Sequence, residues 1–247
     1  MKLENKIALV TGGASGLGRT ISELLLKSKT KVAILDNNRK ALDDLNNHSN
    51  LLKINCDVTN EKMVSNAIEK IKLRFSKIDI LINNAGLLYS EPLINIMSAQ
   101  RRHSLYNWQK IIDVNLTAPF IVSTHVAELM VIKRVKGIII NISSICAQGN
   151  AGQTAYSASK AGLQAMTKVW AKELGIFGIR CISIAPGFMN TNSTNNSVTN
   201  EVLNRVKEQT PLKKLGKTED IAQAIKFVIK NEYINAKTLS IDGGLVI

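Results

Sequence analysis

Seven short apolar runs, separated by longer amphipathic stretches, leave this chain of 247 residues very few ways to fold. The runs cover 7–11, 31–35, 51–55, 78–83, 137–143, 180–185 and 238–241. They are rich in β-branched residues and almost unbroken in apolar character, as suits strands buried on both faces of a parallel sheet. Between them, the spacing of apolar residues predicts helices over 16–28, 39–47, 60–75, 107–134, 154–177 and 218–230. Such regular alternation predicts a doubly wound α/β fold, a central parallel sheet of about seven strands with helices on both faces. No linker, repeat or low-complexity block divides it, so a single domain over 1–247 is expected. Two segments break the rhythm. The stretch 87–107 holds the basic run Gln100-Arg-Arg-His-Ser104, and 187–211 is rich in Asn, Ser and Thr. Both leave carboxyl ends of expected strands, where open α/β sheets place their ligands, and both are expected to be substrate loops.

Hydrophobic residues make up 45% of the chain, enough for a sizeable core, yet no apolar run is long enough to cross a bilayer. Residues 1–6 lead straight into the first run, so neither a signal peptide nor membrane insertion is expected, and a cytoplasmic location is. The three cysteines (Cys56, Cys146, Cys181) and three histidines (His48, His103, His125) are scattered, and no metal site is expected. A formal charge of +13 invites a polyanionic partner. Against that, the basic residues form no long run and accompany no nucleic-acid motif, which favours solvated helix faces and a small-molecule substrate over nucleic acid.

The first run passes into Thr11-Gly-Gly-Ala-Ser-Gly-Leu-Gly18, where the first helix is expected to open. Gly12, Gly16 and Gly18 permit a tight turn and close backbone approach, so that a pyrophosphate meets the helix N-terminus, with Ser15 and Leu17 in the same loop. Asp36 closes the second run. A carboxylate there accepts hydrogen bonds from both ribose hydroxyls and repels a 2′-phosphate, so NAD(H) is expected rather than NADP(H). Arg39 lies close enough in sequence to compete with that preference, whereas Ser15 offers a phosphate no charge.

Tyr156 and Lys160 stand four residues apart on a predicted helix, which sets phenol and ammonium one turn apart on one face. A Tyr is a poor base at neutral pH, and a fixed cation beside it favours the phenolate. Ser143 closes the apolar run upstream.

Phosphate loop and Tyr-x-x-x-Lys, in this order and spacing, resemble the short-chain dehydrogenase/reductase family, and the resemblance extends from Lys6 to Asp242-Gly-Gly244. It implies a Rossmann-type fold and an enzyme that interconverts a secondary alcohol and a ketone. It also implies that Asp57 and Val58 contact the adenine, and that Asn84, Ala85 and Gly86 lie beneath the cofactor. Met189 and Thr191, after Pro186-Gly187, match the segment that holds the nicotinamide. Asn115, Ser143, Tyr156 and Lys160 match the catalytic set. Tyr156 would exchange the proton, Ser143 would bond the substrate oxygen, Lys160 would bind the ribose and lower the Tyr156 pKa, and Asn115 would hold a water. Within the family the chain looks like the branch containing type 10 17β-hydroxysteroid dehydrogenase and 3-hydroxyacyl-CoA dehydrogenases. The substrate implied is a 3-hydroxyacyl-CoA or related hydroxyacyl or hydroxysteroid compound. The alternatives are a 3-oxoacyl-carrier-protein reductase, acting on an acyl-carrier thioester, and a non-catalytic dinucleotide-binding regulator. The resemblance also implies a homotetramer.

Overall fold

The computed structural model describes residues 1–97, 99–191 and 199–247. One parallel sheet carries β1 (Ile7–Thr11), β2 (Lys31–Asp36), β3 (Leu51–Asn55), β4 (Ile80–Asn83), β5 (Ile138–Ile142), β6 (Arg180–Pro186) and β7 (Thr238–Ile241). Their order is β3-β2-β1-β4-β5-β6-β7. The register pairs Leu9 with Leu81 and Ile140 with Ile182, so neighbouring strands bring like faces together. Alternate residues then feed two cores. Leu9, Leu81 and Ile139 face α3 (Glu61–Phe75), α5 (Ala118–Ile132) and α6 (Thr154–Glu173). Ala8, Ile82 and Ile140 face α1 (Gly16–Lys27), the short α2 (Arg39–Asp43) and α8 (Thr218–Lys230).

Between β4 and β5, α4 (Leu105–Ile112) continues through one π-helical turn, Asp113–Thr117, into α5. The sequence predicts an unbroken α-helix there, and nothing local marks the extra residue. The whole rod, Leu105–Ile132, is long and apolar enough to cross a membrane by length and composition. Here Val122, Val126, Leu129 and Met130 are buried against the sheet, so its apolar character goes into the core. A further helix, α7 (Asn200–Gln209), lies inside the segment expected to be a loop, and residues 192–198 of that segment lie outside the described residues, as does Ser98 of the other. Its low apolar content hides it in the sequence, although Leu203 and Val206 give it one buried stripe.

Charged groups close the amino-terminal ends of the strands. The buried Asp79 carboxylate accepts from the Ile7 amide at 3.0 Å and pairs with Lys77 at 2.9 Å. The Arg180 guanidinium bonds the carbonyls of Val228, Ile229, Asn231 and Ile234, satisfying acceptors left over where α8 ends. Among the described residues, the carboxyl ends stay open.

Candidate active site

β1 and β4 are neighbours, but their connections leave to opposite sides, and a crevice opens above their carboxyl ends. Two cavities fill it. One, about 830 Å³, runs along the glycine loop to Asp36 and Val58. The other, about 530 Å³, lies over Ser144, Tyr156, Lys160 and Phe188. Ser15, Gly16, Leu17, Asn84 and Gly86 line both, so the two chambers share a wall.

The loop fits a dinucleotide phosphate on its own geometry. Gly12 and Gly16 take φ of 60° and 50°, the left-handed region that favours glycine. A Cβ on Gly18 would overlap the Gly12 carbonyl oxygen and stand 2.5 Å from Asn84 Nδ2. That amide donates to the carbonyls of Thr11 and Gly12, both at 3.0 Å, and staples β4 to the loop. Ser15 is the N-cap of α1, yet its side chain makes no capping bond and the first turn holds no acid. The amides of that turn are left for an anion. Asp36 Oδ2 accepts from the Ala14 amide and Oδ1 from the Asn38 amide, each at 3.0 Å. Each carboxylate oxygen keeps a lone pair for a ribose hydroxyl. Arg39 turns to solvent, its Nε 3.7 Å from Asp43 Oδ2. At the far end Asp57 is held by Thr59, and Val58 lines the wall with Tyr106 from α4. Ala85 donates its amide to Thr11 Oγ1, while Met189 and Thr191 line the other chamber.

In that chamber α6 presents Tyr156 and Lys160 one turn apart, as the spacing predicts. Lys160 is buried; its Nζ donates to the Ile142 carbonyl at 2.9 Å and lies 5.7 Å from the Tyr156 ring centroid. Asn115 sits in the π-turn, fully buried, with Oδ1 accepting from the Leu87 amide at 2.8 Å and Nδ2 donating to the Leu87 carbonyl at 2.9 Å. Its amide thus clamps the chain leaving β4. Gly86 makes the arrangement possible, because a Cβ there would stand 3.2 Å from Asn115 Oδ1 and 3.4 Å from Lys160 Nζ.

Ser143 does not take the place expected of it. It prolongs β5, its amide donating to the Ile184 carbonyl, and strand alternation turns its side chain toward α6 with Ile139 and Asn141. There Ser143 Oγ donates to the Lys160 carbonyl at 3.0 Å and accepts from Gln164 Nε2 at 3.0 Å. Ser144, on the opposite face, lines the chamber with Tyr156 and is the side chain that favours its phenolate. Ser144 also caps the 3₁₀ turn Ile145–Gln148, accepting from the Cys146 amide at 3.1 Å. Two adjacent serines at a strand end have opposite faces, and that parity was readable in the sequence.

A profile described as short chain dehydrogenase matches residues 6–202. The chain belongs to the short-chain dehydrogenase family. It is an oxidoreductase of CH–OH groups that uses a nicotinamide dinucleotide. It is 36% identical over 255 aligned residues to the 3-oxoacyl-[acyl-carrier-protein] reductase FabG of Thermotoga maritima, covering 100% of each chain. The (3R)-3-hydroxyacyl-CoA dehydrogenase of Canis lupus familiaris is also 36% identical, over 99% of this chain and 98% of that one. Among solved structures, a short chain dehydrogenase from Bacillus anthracis superposes with a TM-score of 0.87 at 30% identity, over 98% and 97% of the two chains.

The electrostatics of this short-chain dehydrogenase depart from the sequence expectation at Tyr156. Burial pushes its phenol up to about 12, the neighbouring Cys146 adds to the rise, and the Ser144 side chain opposes it. Lys160 does not bring the phenol below its ordinary value, because its ammonium is turned to Ile142 O. Burial alone brings Lys160 down to about 8. The pair at neutral pH is therefore a neutral phenol beside a mostly protonated amine. Burial also raises the Cys146 thiol, which is consequently a neutral wall group. Behind it Ile145, Cys146, Val206 and Leu245 pack together, with Phe188 and Leu215 against them, so the chamber has one apolar side. Gln153, which the sequence reading missed, donates to Ser90 Oγ at 3.1 Å and ties the segment after β4 to the start of α6.

Proposed function

We propose that this oxidoreductase reduces the 3-keto group of an acyl thioester carried on a protein thiol, with NADH as reductant. The observation that carries the reading is end-to-end similarity to a 3-oxoacyl-carrier-protein reductase, joined to a chamber with a proton donor on one side and an apolar wall on the other. The dehydrogenase from Canis lupus familiaris shares the 3-hydroxyacyl thioester chemistry in its name. The narrower resemblance to the type 10 17β-hydroxysteroid branch is not carried by these relatives, and a hydroxysteroid substrate gives way to a 3-oxoacyl thioester.

The glycine loop and Asp36 would hold NAD(H), which would supply or accept the hydride. This chain's residues manage the oxygen and its proton. Ser144 and Tyr156 both line the chamber, so a keto oxygen seated between their hydroxyls would receive two hydrogen bonds, which strengthen as negative charge develops on it. Tyr156 then gives up its proton to that oxygen. Because burial keeps the phenol protonated, the site favours the acid role, and hence ketone reduction, near neutral pH. Lys160 would offer its charge to the ribose of the dinucleotide. Asn115, by clamping Leu87, fixes a stretch of backbone that lines both cavities.

Support for NAD(H) comes from Asp36, whose carboxylate is held in place by two backbone amides and would face a 2′-phosphate. A homotetramer is part of the proposal, supported by the exposed Phe120 and Val169 on the outer helices α5 and α6, and by Phe227 and Val246 at the other end. The test is turnover of a 3-oxoacyl thioester with NADH and with NADPH. NADH should give a kcat/KM at least about tenfold higher, roughly 1.4 kcal/mol of discrimination. A preference for NADPH would overturn the cofactor assignment. Failure to reduce any 3-oxoacyl thioester would overturn the substrate.

A further inference from the structure

From residue 92 to residue 112 the sequence contains no Asp or Glu, while it carries Arg101, Arg102 and Lys110. The structure anchors this segment beside the chemistry. The Glu91 amide donates to the Gly152 carbonyl, and Glu91 forms a parallel bridge with Gln153, three residues before Tyr156. Ser104 closes the base by donating its amide to Glu91 Oε2 at 2.9 Å. Beyond the anchor the chain makes a small antiparallel protrusion. Ile94 is bridged to Arg102, Asn95 donates to the Arg101 carbonyl, and His103 donates to the Leu93 carbonyl.

What this protrusion shows to solvent is unusual. Leu93, Ile94, Ile96 and Met97 are exposed by 59–90% of their surface, next to two exposed arginines. Single exposed apolar residues are ordinary, but a contiguous apolar patch rimmed by charge of one sign marks a contact surface. Among the described residues, these side chains lie in none of the three buried clusters.

We propose that the described residues of the protrusion, 93–97 and 99–102, form the docking surface for the acidic carrier protein that presents the acyl thioester. The inference rests on the function proposed above. Charge complementarity selects the partner: an apolar centre with a cationic rim fits a helix with an apolar stripe and an acidic rim. The charge of +13 on the whole chain would steer such a partner from a distance. Position selects it too. A carrier must set its thioester arm at the cavity mouth, and the protrusion is bonded to the residues that open α6. A lipid surface would share the charge preference but gains nothing from that placement.

The test compares wild type with R101E/R102E and with I96S/M97S. It reads binding of holo-carrier protein by fluorescence anisotropy, and turnover of one 3-oxoacyl group on three thiols: carrier protein, CoA and N-acetylcysteamine. Both variants should bind holo-carrier at least about tenfold more weakly and lose about as much in kcat/KM on the carrier-bound substrate. Turnover of the N-acetylcysteamine thioester should stay within about twofold of wild type, and carrier affinity should fall as salt rises. Equal losses on all three substrates would overturn the inference, because the protrusion would then be shaping the cavity. A loss confined to the CoA thioester would overturn it in favour of phosphate contacts. Unchanged carrier binding with lost adsorption to phosphatidylglycerol vesicles would overturn it in favour of a membrane, and unchanged carrier binding with an altered oligomeric state in favour of a second copy. Carrier binding that depends on Arg101 and Arg102 without turnover of any 3-oxoacyl thioester would support the docking surface and remove the substrate reading alone.

Discussion

Replacing Lys160 with Met should make the protein more stable at pH 7 while abolishing its activity. Lys160 is buried, its ammonium bonds only a backbone carbonyl, and among the described residues it forms no ion pair with a carboxylate. Burial lowers its pKa from 10.5 to about 8. That fall means the charged form costs roughly 3 kcal/mol more in the folded chain than in the unfolded one. Met keeps the length of the side chain and drops the charge. It also gives up the bond to Ile142 O, a loss of about 1–1.5 kcal/mol. The balance at pH 7 is a gain of about 1–2 kcal/mol, a case of a functional group held at the expense of stability. The sign of the pH dependence follows from the direction of the shift. Below about pH 8 the amine is protonated in both states, and the full cost of burying it is present. Between about 8 and 10.5 the unfolded chain binds a proton that the folded chain does not, so wild-type stability rises relative to the variant as pH increases. Urea unfolding without nucleotide at pH 7 and at about pH 9.5 reads both effects. A K160M protein less stable than wild type at pH 7, or a gap that ignores pH, would refute the reasoning.

Three further outcomes follow from the site. Ser144→Ala should lower reductive kcat about 10²–10³-fold, whereas Ser143→Ala should leave kcat within about tenfold and cost about 1–2 kcal/mol of stability as Gln164 loses its acceptor; steady-state kinetics beside thermal melts would expose the reverse order. Gly18→Ala sets a Cβ against the Gly12 carbonyl and should eliminate measurable NADH binding or cost more than about 2 kcal/mol in stability, so wild-type NADH titration and melting behaviour would count against the loop geometry. Reductive kcat/KM should hold from about pH 6 to 7.5 and fall above about 8, where Lys160 loses its charge while Tyr156, at about 12, still holds its proton. A profile flat to pH 10 would detach Lys160 from the chemistry.

Strand and helix positions were legible because their causes are local. Unbroken β-branched runs fall within two residues of the observed strands, and the glycine loop, Asp36 and the Tyr156–Lys160 pair stand where spacing places them. The π-turn at Asn115 left no such mark, because an extra residue in a helix is fixed by what the helix packs on. The stapling of the loop by Asn84 was equally silent, since it joins residues more than seventy positions apart. The serine was a different kind of miss: strand parity already turned Ser143 toward α6, and counting alternate residues would have moved the reading to Ser144. The pKa values belong to the tertiary structure alone. Helical spacing determines that a phenol and an ammonium are neighbours. Whether that ammonium lowers the phenol depends on how deeply both are buried and on which acceptor the ammonium finds. Those depths are set by β5, α6 and the wall behind Cys146, elements brought together only by folding.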